Sequence, residues 1–280
     1  MLSFFKRKKW IFEVRDIWPE SIYAVNAISK KNLLISFLRY IEINLYKSAN
    51  HIVVVTDSFK KDIIHKGINS NKISVFKNGC NLDFFKPSPP NEDLLKKYNL
   101  KKKIVIGYIG TLGMAHGLDF ILNSIINLND DRLHFLFIGE GSEKDRLLKI
   151  KKENKINNVT FIDMIPKSKL INYFNLIDIS LVCLRRSKTF LSVIPSKIFE
   201  SAAMNKPILL GLEGESKKII KMYNAGITFK PENKKDFIFS LNKIINHKIY
   251  MDKKKSLKLF SEAFDRSKIA NEFELLIRKL

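Results

Sequence analysis

The run Ile194-Pro195-Ser196-Lys197-Ile198-Phe199-Glu200-Ser201-Ala202-Ala203-Met204-Asn205-Lys206-Pro207-Ile208-Leu209-Leu210 reads as a short helix, a stop and a buried strand. Pro195 suits a first helical turn, where its missing N–H costs nothing. Ile198, Phe199, Ala202 and Ala203 recur at the spacing of one apolar helix face, and Asn205-Lys206-Pro207 ends the helix before an aliphatic run. Working outward, the same alternation continues in both directions. Downstream and just upstream, strands are expected at 104–110, 133–138, 159–162, 179–184, 208–210 and 227–229. Helices are expected between them at about 117–128, 142–153, 167–175, 195–205 and 214–223, with two or three more from about 233. Nearer the start, strands are expected at 10–14, 51–56 and 73–76, and helices at 32–48 and 58–66. Strands alternating with helices specify a parallel α/β architecture. Lys86-Pro87-Ser88-Pro89-Pro90 interrupts the pattern and is the candidate linker.

The chain has 280 residues, enough for one large domain or two ordinary ones. Its apolar share is 45%, sufficient for a real core. The formal net charge is +22, from 50 Lys and Arg against 28 Asp and Glu. The lysines are scattered, as in Lys151-Lys152, Lys217-Lys218 and Lys253-Lys254-Lys255, and no RNA-binding aromatic signature accompanies them, so nucleic acid is not an expected partner. A basic surface also attracts anionic lipid. Cys80 and Cys183 lack metal-ligand spacing, and Cys183 reads as a buried small hydrophobe of a reducing cytosol. No signal peptide and no membrane-length apolar run is present; the segment 33–46 reads as an amphipathic helix that packs or lies on a membrane.

Three places carry chemistry, because ligands of open parallel sheets sit at the carboxyl ends of strands. Lys197 and Glu200 lie one turn apart on one helix side. A cation at a helix N-terminus meets phosphate, and a carboxylate one turn on accepts from ribose hydroxyls; by itself the same pair is also an ordinary solvated Lys–Glu pair. Gly110-Thr111-Leu112-Gly113, ending at Gly117 before a helix, lets backbone approach a phosphate, or is a plain strand-to-helix turn. Arg15-Asp16 follows the first strand; Arg15 either stabilises developing negative charge or forms a local ion pair with Asp16. Glu20 is a further acid or base candidate.

In this context the opening run resembles the nucleotide-binding signature of family 4 glycosyltransferases, retaining enzymes with two Rossmann-like domains (the GT-B fold). Pro195-Ser196-Lys197 followed by Glu200 is most similar to the branch that builds bacterial O-antigen and capsule. Phe12-Glu13-Val14-Arg15-Asp16-Ile17-Trp18-Pro19-Glu20-Ser21 resembles the cleft-facing strand and loop of the family's first domain. Val53-Val54-Val55-Thr56 followed by Ser74-Val75-Phe76-Lys77-Asn78-Gly79 resembles the end of that domain. Gly107-Tyr108-Ile109-Gly110-Thr111-Leu112-Gly113 resembles the first strand and phosphate loop of the second. Gly139-Glu140-Gly141 is similar to the family's Gly-Asp-Gly turn, and Asp163-Met164-Ile165 to the place where backbone holds uracil.

The resemblance implies a GT-B-like α/β chain. Residues 1–90 would be an incomplete acceptor-side Rossmann-like domain, 91–265 a complete donor-binding one, and 266–280 a helix that can cross back to the first. It implies transfer of a sugar from a UDP-sugar to a lipid-linked or polysaccharide acceptor, retaining and without cofactor or bound metal; no Asp-x-Asp motif is present. The enzyme would work in the cytoplasm or at the inner face of the plasma membrane. Donor-binding residues would be Gly110, Thr111, Gly113, His116, Ser192, Ser196, Lys197 and Glu200, with Arg15 and Asp16 catalytic. Two departures stand out. The family's commonest loop carries an Arg after the first glycine and a Lys before the last; here these are Thr111 and His116, leaving Lys197 as the replacement and His116 as a helper when protonated. The first glutamate of the E-x7-E motif is Ser192, so sugar preference does not carry over. Measured against the family, the first domain has too few strands and the chain reads as truncated. That leaves an alternative, a non-catalytic nucleotide-sugar-binding subunit or remnant that needs a separately encoded N-terminal domain; a nucleotide-sugar epimerase of the same fold is a more distant one. If Met1 is the start, Phe4, Phe5, Trp10 and Phe12 are expected to be exposed.

Overall fold

The computed structural model describes residues 6–16, 19, 33–246 and 253–280. Two parallel sheets organise them. The smaller has three strands, β1 (Ile11–Val14), β2 (His51–Val54) and β3 (Ile73–Val75), in that spatial order. Ile11 pairs with His51 and Ile52 with Ile73. Helices α1 (Leu33–Ser48) and α2 (Asp57–His65) belong to this part. β2 stops two residues short of Thr56, because the Thr56 hydroxyl caps α2 by accepting from the Phe59 N–H at 3.1 Å. Trp10 and Phe12 are packed rather than exposed. The Trp10 indole N–H donates to the Ser48 carbonyl at 3.0 Å, and the Phe12 and Tyr46 rings lie 5.6 Å apart. The exposed apolar surface is on α1 instead, where Leu33, Phe37 and Tyr40 are 88%, 60% and 67% exposed. Phe4, Phe5, Trp18 and Glu20 lie outside the described residues.

The larger sheet has six strands: β4 (Ile104–Ile109), β5 (Leu133–Ile138), β6 (Val159–Ile162), β7 (Ile179–Cys183), β8 (Ile208–Gly211) and β9 (Gly226–Thr228). Their order is β6-β5-β4-β7-β8-β9, so the winding reverses between β4 and β7. Helices α3 (Glu92–Lys97), α4 (Leu118–Ile125), α5 (Lys144–Glu153), α6 (Leu170–Asn175), α7 (Lys197–Ala203), α8 (Glu215–Met222) and α9 (Lys234–Asn246) connect or follow the strands. Strand residues alternate between two apolar layers. Leu209 joins Phe135, Phe137 and Leu181 under α4, α5 and α9. Ile208 and Leu210 join Ile198, Phe199 and Ile220 on the other face.

Helix α3 was absent from the sequence expectation; the Asn91 carboxamide caps it, accepting from the Leu94 N–H at 3.0 Å. The proline-rich run is anchored, since the Ser88 N–H donates to the Asn175 carboxamide at 3.2 Å and that side chain donates back to the Ser88 hydroxyl at 2.7 Å. Helix α7 starts at Lys197 rather than at Pro195, and Asn205 ends its run in a left-handed conformation, φ +54°.

Two helices close the chain, α10 (Lys254–Ala263) and α11 (Arg266–Lys279). Phe260 and Phe264 pack tilted against Phe199 of α7, with ring centroids 5.6 and 4.8 Å away. From there α11 reaches the smaller sheet: Phe273 lies 5.2 Å from Phe76, and the Lys9 ammonium donates to the Leu280 carbonyl. The Cys80 N–H donates to Phe264 O at 3.1 Å and the Arg266 N–H to Cys80 O at 2.9 Å.

Candidate functional site

The switch point between β4 and β7 is where the side chains of interest meet. Lys197, the first residue of α7, extends over the end of β4. Its ammonium donates to the Tyr108 hydroxyl at 2.5 Å and sits 3.9 Å from that ring's centroid. A Cβ on Gly110 would fall 2.5 Å from the Lys197 Cε and 2.8 Å from its Nζ, so a side chain there would displace the lysine's end, and φ +138° itself favours glycine. The Tyr108 hydroxyl in turn donates to the Thr111 carbonyl at 2.6 Å. Tyr108 is buried, and burial pushes its phenol well above the usual range.

Burial also lowers the Lys197 ammonium to about 8, although the Cys183 and Glu200 charges act to raise it. Lys197 and Glu200 do not pair. Among the described residues no hydrogen bond or ion pair reaches the Glu200 carboxylate. Burial raises its proton affinity, while Lys197, Arg266 and Lys167 pull the other way. A solvated Lys–Glu pair is therefore not what forms: Lys197 is held on Tyr108, the Glu200 carboxylate has no partner among the described residues, and both are half-buried.

The Gly110–Gly117 loop is built by close backbone approach. A Cβ on Gly139, φ +144°, would stand 2.0 Å from Gly110 O, and one on Gly141 would stand 2.4 Å from Leu112 O. The Leu112 N–H donates to Glu140 O at 2.7 Å, and Glu140 itself pairs with Lys144 at 2.6 Å. Gly139-Glu140-Gly141 thus acts as the wall of the loop. The loop ends in one turn of tight helix over 114–116 and a left-handed Gly117, φ +61°. Thr111 is exposed and Gly113 half-buried.

His116 departs from its expected part as a cation. Burial and the nearby Lys197 charge hold its imidazole down to about 4, so near neutral pH it is uncharged in the protein alone; its Nδ1 lies 3.3 Å from Gly113 O. Ser196 is exposed, and its hydroxyl does not cap α7. Ser192 donates to Thr189 O at 3.0 Å, in a turn (Thr189–Ser192) that packs on α8 and on α2 of the smaller sheet. The Ser58 hydroxyl of α2 donates to the Glu215 carboxylate of α8 at 2.7 Å across the same seam.

Arg15 lies at the carboxyl end of β1. It donates to Glu13 at 3.3 Å and to the Asn78 side-chain oxygen at 3.0 Å. Its carboxylate partner is thus Glu13, not Asp16, which is exposed. Asn78 leads to Gly79, whose carbonyl accepts from the Arg266 guanidinium at 3.0 Å, and Arg266 is one of the charges acting on Glu200. Arg15 therefore joins the Glu200 neighbourhood through Asn78, which the sequence placed in the 74–79 run without a site role, and through Arg266. Tyr108 and Arg185 were likewise missed. Among the described residues no three His, Cys, Asp or Glu side chains gather as a metal site, and no helix is long and apolar enough to cross a membrane.

A family model described as "Glycosyl transferases group 1" matches residues 90–258. The "Probable glycosyltransferase WbjE" of Pseudomonas aeruginosa is 25% identical over 229 residues, covering 80% of this chain and 57% of that protein. The "Putative teichuronic acid biosynthesis glycosyltransferase TuaH" of Bacillus subtilis is 24% identical over 206 residues, covering 71% of this chain and 49% of that protein. The chain thus spans about half to three-fifths of these curated relatives. Crystal structures of Anabaena HepE, one in complex with UDP and one with UDP-glucose, superpose with a TM-score of 0.82 at 16% identity, over 99% of this chain and 74% of HepE.

Proposed function

The chain belongs to the group 1 glycosyl transferases, and from that membership we propose that it binds a UDP-sugar at the β4–β7 switch point and serves sugar transfer in bacterial cell-surface glycan synthesis. The observation that carries this reading is Lys197, an ammonium threaded against Gly110 at the start of α7, with the unpaired Glu200 carboxylate one turn along. In this reading the ammonium and the glycine loop hold the diphosphate, and Glu200 accepts from the ribose hydroxyls. Ser192 and Ser196 border the donor, and Arg15 and Asp16 face it from the smaller sheet. The HepE complexes with UDP and UDP-glucose support the choice of donor, and the WbjE and TuaH likenesses support a surface-glycan product.

Transfer would break the bond from the anomeric carbon to the β-phosphate oxygen. The acceptor hydroxyl oxygen would bond to that carbon on the same face, and the hydroxyl proton would leave on the departing diphosphate. The protein's share is charge stabilisation and positioning. The acceptor proposed is a lipid-linked or polysaccharide glycan, met at the cytoplasmic face of a membrane to which the net charge of +22 draws the protein. A second reading, donor binding without transfer by this chain alone, is favoured by the smaller sheet, which has three strands among the described residues against six in the larger.

Calorimetric titration with UDP and with uridine tests the proposal. Lys197→Ala should weaken UDP more than uridine, and Glu200→Gln should weaken both by about 1–3 kcal/mol, the value of a hydrogen bond to a charged group. No UDP binding by the folded chain, or equal losses for both ligands in Lys197→Ala, overturns it. Turnover with a lipid-linked acceptor, with and without an added N-terminal fragment, separates the two readings.

A further inference from the structure

We infer that Arg185 is the positioning residue of the glycine loop, fixing the backbone that meets the donor's phosphates; this rests on the UDP-sugar reading. Arg185 is the second residue after β7. Its own N–H donates to Ala115 O at 2.8 Å and its Nε to Met114 O at 2.7 Å, while the Cys183 thiol donates to His116 O at 3.2 Å. Three consecutive loop carbonyls are thereby tied toward β7. Peptide planarity then turns the N–H on the far side of each of those peptide groups away from β7. Earlier in the loop, the amides of Thr111, Gly113 and Met114 donate to no protein group among the described residues.

The rest of the guanidinium spans two further segments. Nη2 donates to Asp119 of α4 at 2.8 Å and Nη1 to Glu232, beyond β9, at 3.1 Å. Glu232 also accepts from the Arg186 N–H at 2.9 Å, and Asp119 pairs with Arg146 at 3.0 Å. A Cβ on the left-handed Gly117 would stand 3.3 Å from the Arg185 Cγ, so the stem occupies the space beside the loop's last residue. With two carboxylates on it, the Arg185 charge is spent within the protein. Its effect on an anion runs through loop geometry. A planar fork reaching three segments is something arginine supplies and lysine does not.

The test compares the unchanged chain with Arg185→Lys and Glu232→Gln, titrating UDP and uridine and recording the denaturant midpoint of each. Arg185→Lys keeps the charge and loses the fork; UDP affinity should fall about tenfold while uridine affinity holds, the phosphate hydrogen bonds having lost their alignment. Glu232→Gln should show a smaller loss confined to UDP, and it decides the matter if Arg185→Lys does not fold. Unchanged UDP affinity in the deciding variant, or equal losses for UDP and uridine, overturns the inference while leaving the donor reading intact. Absence of UDP binding by the unchanged chain overturns the donor reading and takes this inference with it.

Discussion

At the scale of residues, the deciding group is the buried ammonium of Lys197. It is charged below about 8 and releases its proton above, far earlier than an exposed lysine. If that charge holds the diphosphate, UDP affinity should fall relative to uridine between pH 7 and pH 9, because uracil chemistry is common to both ligands and cancels. Titration at three pH values checks this, and Lys197→Arg should flatten the profile. A UDP-to-uridine ratio constant to pH 9 would remove the Lys197 charge from binding. Lys197 and Glu200 were legible in sequence because helical spacing alone places them a turn apart. Tyr108 was not, since an aromatic inside β4 reads as core, and only the fold reveals that its hydroxyl accepts from Lys197. Arg185 was hidden for a different reason: its partners at 114, 115, 119 and 232 are remote in sequence, and no periodicity joins them.

At the scale of elements, the two glycine turns after β4 and β5 behave as one unit. Gly139→Ala would press a methyl group to 2.0 Å from Gly110 O at a φ that L-residues rarely adopt. We expect a loss of about 1–3 kcal/mol in stability from backbone strain, with UDP binding weakened further by the displaced loop. Chemical denaturation and titration of the same variant check both; a variant as stable and as tightly binding as the parent would show that the turns are independent. The strands of the larger sheet were readable nearly to the residue, because continuous aliphatic runs such as 133–138 and 208–210 are what strands buried on both faces require. Ends were less so. Thr56 and Asn91 act as caps, a role set by where the following helix starts, and the Asn91 cap was obscured by the prolines just before it.

At the scale of the whole molecule, buried histidines link the fold to pH. His134 in β5 bonds the Thr160 hydroxyl of β6 at 2.8 Å, and burial lowers its imidazole to about 4, with Lys103 and Lys151 adding to the effect. Its folded value is below the ordinary one, so between about pH 6.5 and pH 4 the unfolded chain binds more protons and stability falls as pH drops. The drop in denaturant midpoint from pH 7 to pH 5 should therefore be smaller in His134→Gln than in the parent; an equal drop would contradict the assignment. The central claim, that the β4–β7 switch point holds a nucleoside diphosphate, is tested most directly by a crystal structure of the chain with UDP. The account predicts phosphate oxygens within hydrogen-bond distance of the Lys197 ammonium and the 110–114 backbone, and ribose hydroxyls on Glu200. UDP bound elsewhere, or bound here with Lys197 still turned onto Tyr108 and away from the phosphates, would contradict it.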